Sequence, residues 1–199
     1  MAMGNYRSSQ KVNLFKPVLL TLVLLLGLMA VLLPQAQLPM VSLFISALNL
    51  LDFIFHEAGH FLFGFMGEFS SVLGGTAVQL LVPTLFLAAV LYRRQFLTAS
   101  YFMFWMGQNL INISPYIGDA RQQSLKLISP GTLFTGEQAI HDWHYLLGHL
   151  GLLWADHFMA VVVYGIGVMV MLLSAAWPIL YYYYQLVLNS STPNPRQRM

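Results

Sequence analysis

Long apolar stretches alternate with short polar breaks along most of the chain, and this alternation limits the possible folds more than any other feature. A helix needs about 20 predominantly apolar residues to cross the hydrocarbon of a bilayer. Apolar stretches of roughly this length or longer occupy residues 17–33, 41–66, 72–92, 96–117 and 158–188. We therefore predict an all-α polytopic membrane protein, built as a bundle of about five transmembrane helices.

The composition agrees with a membrane protein and excludes several other classes. Of the 199 residues, 58% are hydrophobic and 8% are charged, whereas a soluble domain carries about 25% charged residues. The net charge of +2 is small and dispersed, so no nucleic acid is expected as a partner. Because the chain has no cysteine, any metal must be held by His, Asp or Glu side chains.

The chain is expected to form a single membrane-embedded domain over residues 1–188. Residues 189–199 are rich in Ser, Pro and Asn, and we predict a disordered tail there. Residues 120–156 form the longest segment outside the predicted spans. Within it, Thr135 stands three positions before Gln138, as in a capping box, and apolar residues follow at helical spacing. This pattern predicts an interfacial helix that lies on the membrane or on the bundle.

The first apolar stretch follows a basic start that contains Arg7, Lys11 and Lys16. Such a start can belong to a signal peptide, but the apolar run is long for one, so we favour an uncleaved first span. The same cluster favours a cytoplasmic N-terminus, although Lys and Arg divide almost evenly between the two sides. We expect an integral protein of the plasma or inner membrane, surrounded by the lipid bilayer. The oligomeric state is not determined by the sequence.

The second apolar stretch contains the motif His56-Glu57-Ala58-Gly59-His60. On a helix, the two histidines share a face, so both imidazoles can reach one metal ion, and Glu57 can face a water beside that metal. Ionisable groups inside a span are costly and are functional candidates by default. The alternative is a chance match, or a buried polar network between helices.

Two histidines need a third ligand, because catalytic zinc sites use three protein ligands and keep one position for water. Spans two and four run parallel, so Asp119 at the end of span four lies towards the same membrane face as the histidines. The alternative for Asp119 is an ordinary charged residue at the end of a span. We expect one Zn²⁺ per chain, although other divalent ions also suit His and Asp ligands.

Polar motifs also occur in the next two spans: Gly75 four positions before Gln79, and Asn112-x-x-Pro115 followed by Asp119. Together with the His56–His60 motif, they resemble the site-2 protease family of intramembrane zinc metalloproteases, over about residues 45–120. The resemblance implies that His56, His60 and Asp119 bind zinc. It also implies that Glu57 acts as the general base and that the substrate is another membrane protein, cleaved in or next to a transmembrane segment.

Further polar residues inside the spans have two interpretations. Asn112 and Gln79 can hold an unwound substrate segment, or, like Asn109, they can join helices by hydrogen bonds. Asp52 lies four positions before His56 on the same face. It can be a carboxylate that orients the His56 imidazole, or a polar contact to another part of the bundle.

The segment His141-Asp142-Trp143-His144 lies outside the spans, on the side where we expect the zinc. His141 or His144 can be a fourth ligand, a plug on the site or a proton carrier, or both can be interfacial histidines beside an anchoring Trp. A fourth ligand would indicate a different function, namely a non-proteolytic regulatory protein with a closed structural metal site. A further alternative is a zinc hydrolase that acts on a lipid-like substrate.

Overall fold

The computed structural model describes residues 14–33, 39–125 and 141–191, and every regular element in these ranges is helical. The helices are α1 (Phe15–Leu32), α2 (Pro39–Phe63), α3 (Glu68–Tyr92), α4 (Phe96–Gly118), α5 (Asp142–His149) and α6 (Asp156–Ser191). Two short 3-10 turns, Gly64–Met66 and Leu153–Ala155, follow α2 and precede α6. The predicted all-α class is confirmed for the described residues.

Four segments of the described chain are long and apolar enough to cross a membrane: Phe15–Leu32, Pro39–Met66, Glu68–Tyr92 and Leu153–Leu188. This finding supports a membrane protein. Our prediction had five spans, and the predicted fourth span does form the 23-residue helix α4. It is not among the four apolar candidates, and its amide side chains, among them Gln108 and Asn109, make it more polar than its neighbours.

Two helix boundaries differ from the prediction. Helix α3 begins at Glu68, four residues earlier than expected, because Gly67 alone makes the turn with a φ of 100°. Helix α6 continues to Ser191 and therefore includes the first residues of the tail that we predicted to be disordered. The remainder of the predicted tail lies outside the described residues.

Helix α5 lies in the segment where the sequence predicts an interfacial helix. The predicted start at Thr135 lies outside the described residues. The described helix begins at Asp142, and the side chain of His141 caps it by accepting a hydrogen bond from the His144 amide at 3.3 Å. It ends at His149, before Gly151 turns the chain with a φ of 69°. Contact of this helix with a membrane surface stays a prediction.

Helix α4 lies between α6 and α3, while α1 packs on α6 and α2 packs on α3. The closest approach of α4 and α6 occurs at two glycines. A Cβ on Gly107 would lie 2.8 Å from the carbonyl oxygen of Gly167, and a Cβ on Gly167 would meet the Gly107 oxygen at the same distance. Small residues of this kind let membrane helices approach closely.

Polar side chains lie inside the bundle and apolar ones cover its outside. The buried polar residues within the helices include Asp52, Gln79, Gln108 and Asn109. In contrast, Phe61 on α2 is 87% exposed. This arrangement suits a hydrocarbon solvent, where ionisable and amide groups must find partners within the protein. It also turns the histidines of α2 away from the lipid and towards α3.

Candidate metal centre

His56 and His60 lie one turn apart on α2, and their rings meet edge to face. The two Nε2 atoms are 3.0 Å apart, and the ring planes differ by 84°. Both side chains are about one-quarter exposed. Residues four apart on a helix share a face, and here both imidazoles direct the same ring nitrogen towards one point.

The third group at this point is Asp142, the first residue of α5. Its Oδ2 lies 2.8 Å from Nε2 of His56 and 3.2 Å from Nε2 of His60. Burial raises the pKa of the Asp142 carboxyl, but the two imidazoles at hydrogen-bond distance outweigh burial, and the pKa is lowered overall. An ionised carboxylate is the form that ligates a metal. His56, His60 and Asp142 are the one group of potential metal ligands among the described residues.

The hydrogen bonds of the two imidazoles determine which nitrogen faces the cluster. Nδ1 of His60 lies 3.0 Å from the main-chain oxygen of Ser71, which can only accept. Nδ1 of His56 lies 3.1 Å from Oε1 of Gln79. A neutral imidazole that donates from Nδ1 carries a lone pair on Nε2. In that form, the two Nε2 atoms and the Asp142 oxygen are three acceptors that a metal ion placed between them would bind.

The distances also suit zinc. With zinc–ligand distances of about 2.0 Å and tetrahedral angles, two ligand atoms are about 3.3 Å apart. The three observed separations are 2.8, 3.0 and 3.2 Å, so the ligand atoms need to move by only a few tenths of an ångström. The residues present therefore fit a zinc ion with three protein ligands.

Close packing of α2 on α3 leaves just enough room for the imidazoles. A Cβ on Gly75 would lie 2.7 Å from Nε2 of His60 and 2.9 Å from Cε1 of His56. Next to His60 on α2, a Cβ on Gly59 would overlap the backbone of Gly74. A side chain at either glycine would therefore clash: at Gly75 with the two imidazoles, and at Gly59 with the backbone of α3.

Glu57 follows His56 on α2 and is half-buried. It is not one of the three converging groups, but its carboxylate interacts electrostatically with His56, His60 and Asp142. Its role as a proton acceptor stays a prediction.

Asp119, the ligand predicted from span parity, lies elsewhere. Its carboxylate accepts hydrogen bonds from the Ser124 hydroxyl at 2.6 Å, from the Leu125 amide at 2.9 Å and from Nε2 of His141 at 3.3 Å. Burial opposes ionisation, but these bonds outweigh it and lower the pKa of Asp119 to about 2. The structure brings Asp142, rather than Asp119, to the two histidines. A ligand role for Asp119 stays a prediction without support from this geometry.

The end of α4 holds the start of α5 at two points. Asp119 contacts His141, and Nδ1 of His144 donates to the main-chain oxygen of Ala120 at 2.7 Å. The two histidines that we considered as extra ligands therefore contact α4, with Asp142 directed to α2 between them. Arg121 joins the same region to α6 through its ion pair with Asp156, at 2.7 Å.

Behind His56, a line of buried polar side chains crosses from α3 to α4 and back to α2. Nε2 of Gln79 donates to Oδ1 of Asn109 at 2.7 Å, and Nδ2 of Asn109 donates to Oδ1 of Asp52 at 2.8 Å. The same Asp52 oxygen accepts from Nε1 of Trp105 at 2.7 Å. Asp52 is therefore connected to His56 through two amides, rather than by the direct contact that its sequence position suggested.

The two residues predicted to bind substrate differ in position. Gln79 is buried and is occupied by its bonds to His56 and Asn109, so it acts as an interhelical link. Asn112 is half-buried and interacts with the carboxyl of Asp52. Contact of either residue with a substrate stays a prediction.

Sequence reasoning missed Asp142 and Ser71. Asp142 stands between two histidines in a segment on the expected side of the membrane, and this position was the sequence signal that could have identified it. Ser71 acts through its main chain, which any residue possesses, so no sequence signal marks it.

Comparison of the chain with protein-family models, with curated proteins and with solved structures finds no match. The functional interpretation therefore depends on the geometry of His56, His60 and Asp142 and on the chemistry of the residues around them.

Proposed function

We propose that the protein is an intramembrane zinc metalloprotease that hydrolyses a peptide bond in or next to a transmembrane segment of a substrate protein. One observation carries the proposal: the Nε2 atoms of two imidazoles and a carboxylate oxygen converge within a helical bundle whose exterior is apolar. Such a cluster is expensive inside a membrane protein, and a bound metal accounts for its cost. The ligand set of the proposal is His56, His60 and Asp142.

Zinc supplies an activated water with a pKa of about 7 and polarises a scissile carbonyl when it occupies such a site. Glu57 is the group that takes the proton from the attacking water and delivers it to the leaving amine. Two observations support this role for Glu57: its position next to His56, and its electrostatic interaction with all three proposed ligands. Asn112 remains the proposed contact for an unwound substrate strand.

We propose five membrane crossings, namely the four apolar segments identified above and helix α4. A 23-residue helix is about 35 Å long, which exceeds the roughly 30 Å of hydrocarbon. Its buried amides bond within the protein, as Gln108 does with Asn49 at 2.6 Å, so they do not meet lipid. We also propose a cytoplasmic N-terminus in the plasma or inner membrane, from the basic residues that precede α1.

The site favours an open metal position over a closed structural one. A closed site needs a fourth protein ligand, and the described group has three members. The two candidates for a fourth ligand, His141 and His144, are bonded to Asp119 and to the Ala120 oxygen instead. A hydrolase that keeps one position for water agrees better with these contacts.

A protein substrate is proposed rather than a lipid because the His56–His60 motif resembles that of site-2 proteases. The deciding experiment compares cells that produce the wild-type chain with cells that produce Glu57→Gln. We expect new protein N-termini inside or beside transmembrane segments with the wild type alone, measured by N-terminal proteomics. Altered lipid profiles with unchanged N-termini would support the lipid hydrolase instead.

The purified proteins test the chemistry separately. Wild type and Glu57→Gln are both expected to bind one zinc per chain, measured by elemental analysis, because Glu57 is not a ligand. Glu68→Gln is the matched control, since it makes the same change outside the ligand group and should keep cleavage. Wild-type protein without stoichiometric zinc would disprove the proposed function.

A further inference from the structure

We propose that Asp52 is a positioning residue for the metal centre, which acts through Asn109 and Gln79 to hold the proton of His56 on Nδ1. This arrangement leaves Nε2 of His56 free to bind the metal. The inference rests on the proposed metal site. It explains why His56 adopts the tautomer that can bind a metal through Nε2. We call Asp52, Asn109 and Gln79 the relay.

The first step of the relay fixes the orientation of Asn109. Nε1 of Trp105 can only donate, so Oδ1 of Asp52, 2.7 Å away, is an acceptor. The same oxygen lies 2.8 Å from the Asn109 side chain. Only the amide nitrogen of Asn109 can donate to it, so the amide oxygen of Asn109 must point the other way, towards Gln79.

The second step fixes Gln79 and, through it, His56. Oδ1 of Asn109 accepts from Nε2 of Gln79 at 2.7 Å, which turns Oε1 of Gln79 towards the imidazole. Nδ1 of His56 lies 3.1 Å from that oxygen and must carry the proton to make the bond. Each bond thus determines the direction of the next one, and the obligate donor Trp105 determines the first.

The residues of the relay are buried, so water cannot readily replace the hydrogen bonds between them. Asp52 is 1% exposed, Asn109 is 0% exposed and Gln79 is 6% exposed. If Asn109 were lost, the Gln79 amide would be free to rotate and present its nitrogen to His56. Nδ1 would then accept, the proton would move to Nε2, and the lone pair that binds the metal would disappear.

Two substitutions of Asp52 separate the role of its hydrogen-bond acceptor from the role of its charge. An Asn at this position keeps an oxygen for Trp105 and Asn109 and places its nitrogen where Oδ2 lies. A Leu removes the acceptor altogether.

Zinc affinity of the full-length chain in detergent tests the relay, measured by competition with a chromophoric chelator. Asn109→Leu and Asp52→Leu should weaken Zn²⁺ binding about 10–100-fold, as expected for loss of an outer partner of a ligand. Asp52→Asn should stay below that range, because the amide oxygen still accepts from both donors. Ser114→Ala is the control, since Ser114 is buried on α4 and its hydroxyl donates to the main-chain oxygen of Ile111 on the same helix.

The tautomer of His56 gives a readout that a merely structural role would not change. In zinc-free wild type, ¹⁵N NMR of labelled histidine should show Nδ1 of His56 protonated, and Asn109→Leu should reduce the share of His56 rings that carry a proton on Nδ1. If Asn109→Leu does not fold, as judged by circular dichroism, Asn109→Ala replaces it, because it removes the same two bonds.

The outcomes separate this inference from the proposed function. Wild-type zinc binding with an unchanged affinity and tautomer in Asn109→Leu would overturn the relay while leaving the metal site intact. An equal loss of affinity in Asp52→Asn and Asp52→Leu would also overturn it, since charge rather than orientation would then decide. A wild type that binds no zinc would contradict the proposed function, while the His56 tautomer would still decide the relay.

Discussion

Asp142 follows His56 by 86 positions in the chain, yet its Oδ2 lies 2.8 Å from Nε2 of that histidine. The candidate metal centre is therefore shared between a membrane helix, α2, and a short helix, α5, that reaches it from outside the spans. The three groups form one site because α5 is held in place by α3 and by the end of α4. Both parts of this arrangement can be tested.

Asp142→Ala should weaken zinc binding by at least about 10–100-fold, because it removes a ligand rather than an outer partner. The measurement is chelator competition on the purified full-length chain. Asp119→Ala should reduce the affinity less, since Asp119 contacts His141 and not the histidine pair. Loss of zinc in Asp119→Ala with normal binding in Asp142→Ala would restore Asp119 as the third ligand.

Gly75→Ala should both destabilise the protein and weaken zinc binding. The added Cβ would lie 2.7 Å from Nε2 of His60, and overpacking of this kind costs about 1–3 kcal/mol. Thermal unfolding and zinc affinity measure the two effects.

The control for Gly75→Ala is Gly165→Ala on α6. A Cβ there meets no described atom within 4 Å, and alanine is favoured over glycine within a helix by about 0.5–1 kcal/mol. A Gly75→Ala variant that is as stable as Gly165→Ala and binds zinc normally would contradict the close approach of α2 and α3.

Asp119→Asn should lower the stability of the protein in a pH-dependent way. The pKa of Asp119 is about 2 in the folded chain, against an ordinary value of 3.8. A depressed folded pKa stabilises the protein above the ordinary value, and this stabilisation disappears as the pH falls towards 2.

The measurement for Asp119 is the apparent melting temperature at pH 5, 3 and 2. The difference between wild type and Asp119→Asn should be largest at pH 5 and should shrink on acidification. A difference that stays constant from pH 5 to pH 2 would show that the Asp119 carboxylate does not contribute through its charge.

Arg121→Ala should destabilise the junction of α4 and α6, because it removes the guanidinium from a buried carboxylate and leaves only the Arg121 and His157 amides and the His157 ring beside it. Asp156 is 0% exposed and bonds Arg121 through Nη2 at 2.7 Å and Nε at 2.8 Å. Chemical denaturation in detergent measures the effect. Arg93→Ala, a change to an exposed arginine, should stay within about 0.5 kcal/mol, and an equally small effect of Arg121→Ala would contradict the ion pair.

The sequence was sufficient for the helical class and for the histidine pair. Apolar length predicted the positions of the long helices, and the four-residue spacing put His56 and His60 on one face. These features depend on local periodicity, which a sequence displays directly. Helix boundaries were less accurate, because Gly67 acts at a single position that a window of apolar residues does not resolve.

The third member of the group could not be predicted in the same way. Span parity places residues at a membrane face but does not determine which of them turn inward. Asp119 and Asp142 both belong to the expected side, and the choice between them depends on how α5 rests on α4. The relay could not be predicted for the same reason, since the bonds of Asn109 and Gln79 depend on the relative rotation of α3 and α4.

The position of Asp142 on α5 also sets the order of events during biosynthesis. His56 and His60 leave the ribosome long before Asp142, so a nascent chain that has inserted α2 and α3 offers a metal only two of its three ligands. On the proposed ligand set, high-affinity metal loading follows the synthesis and docking of α5. On the same proposal, a chain that terminates in the α4–α5 segment lacks the third ligand and should not hold a metal with high affinity.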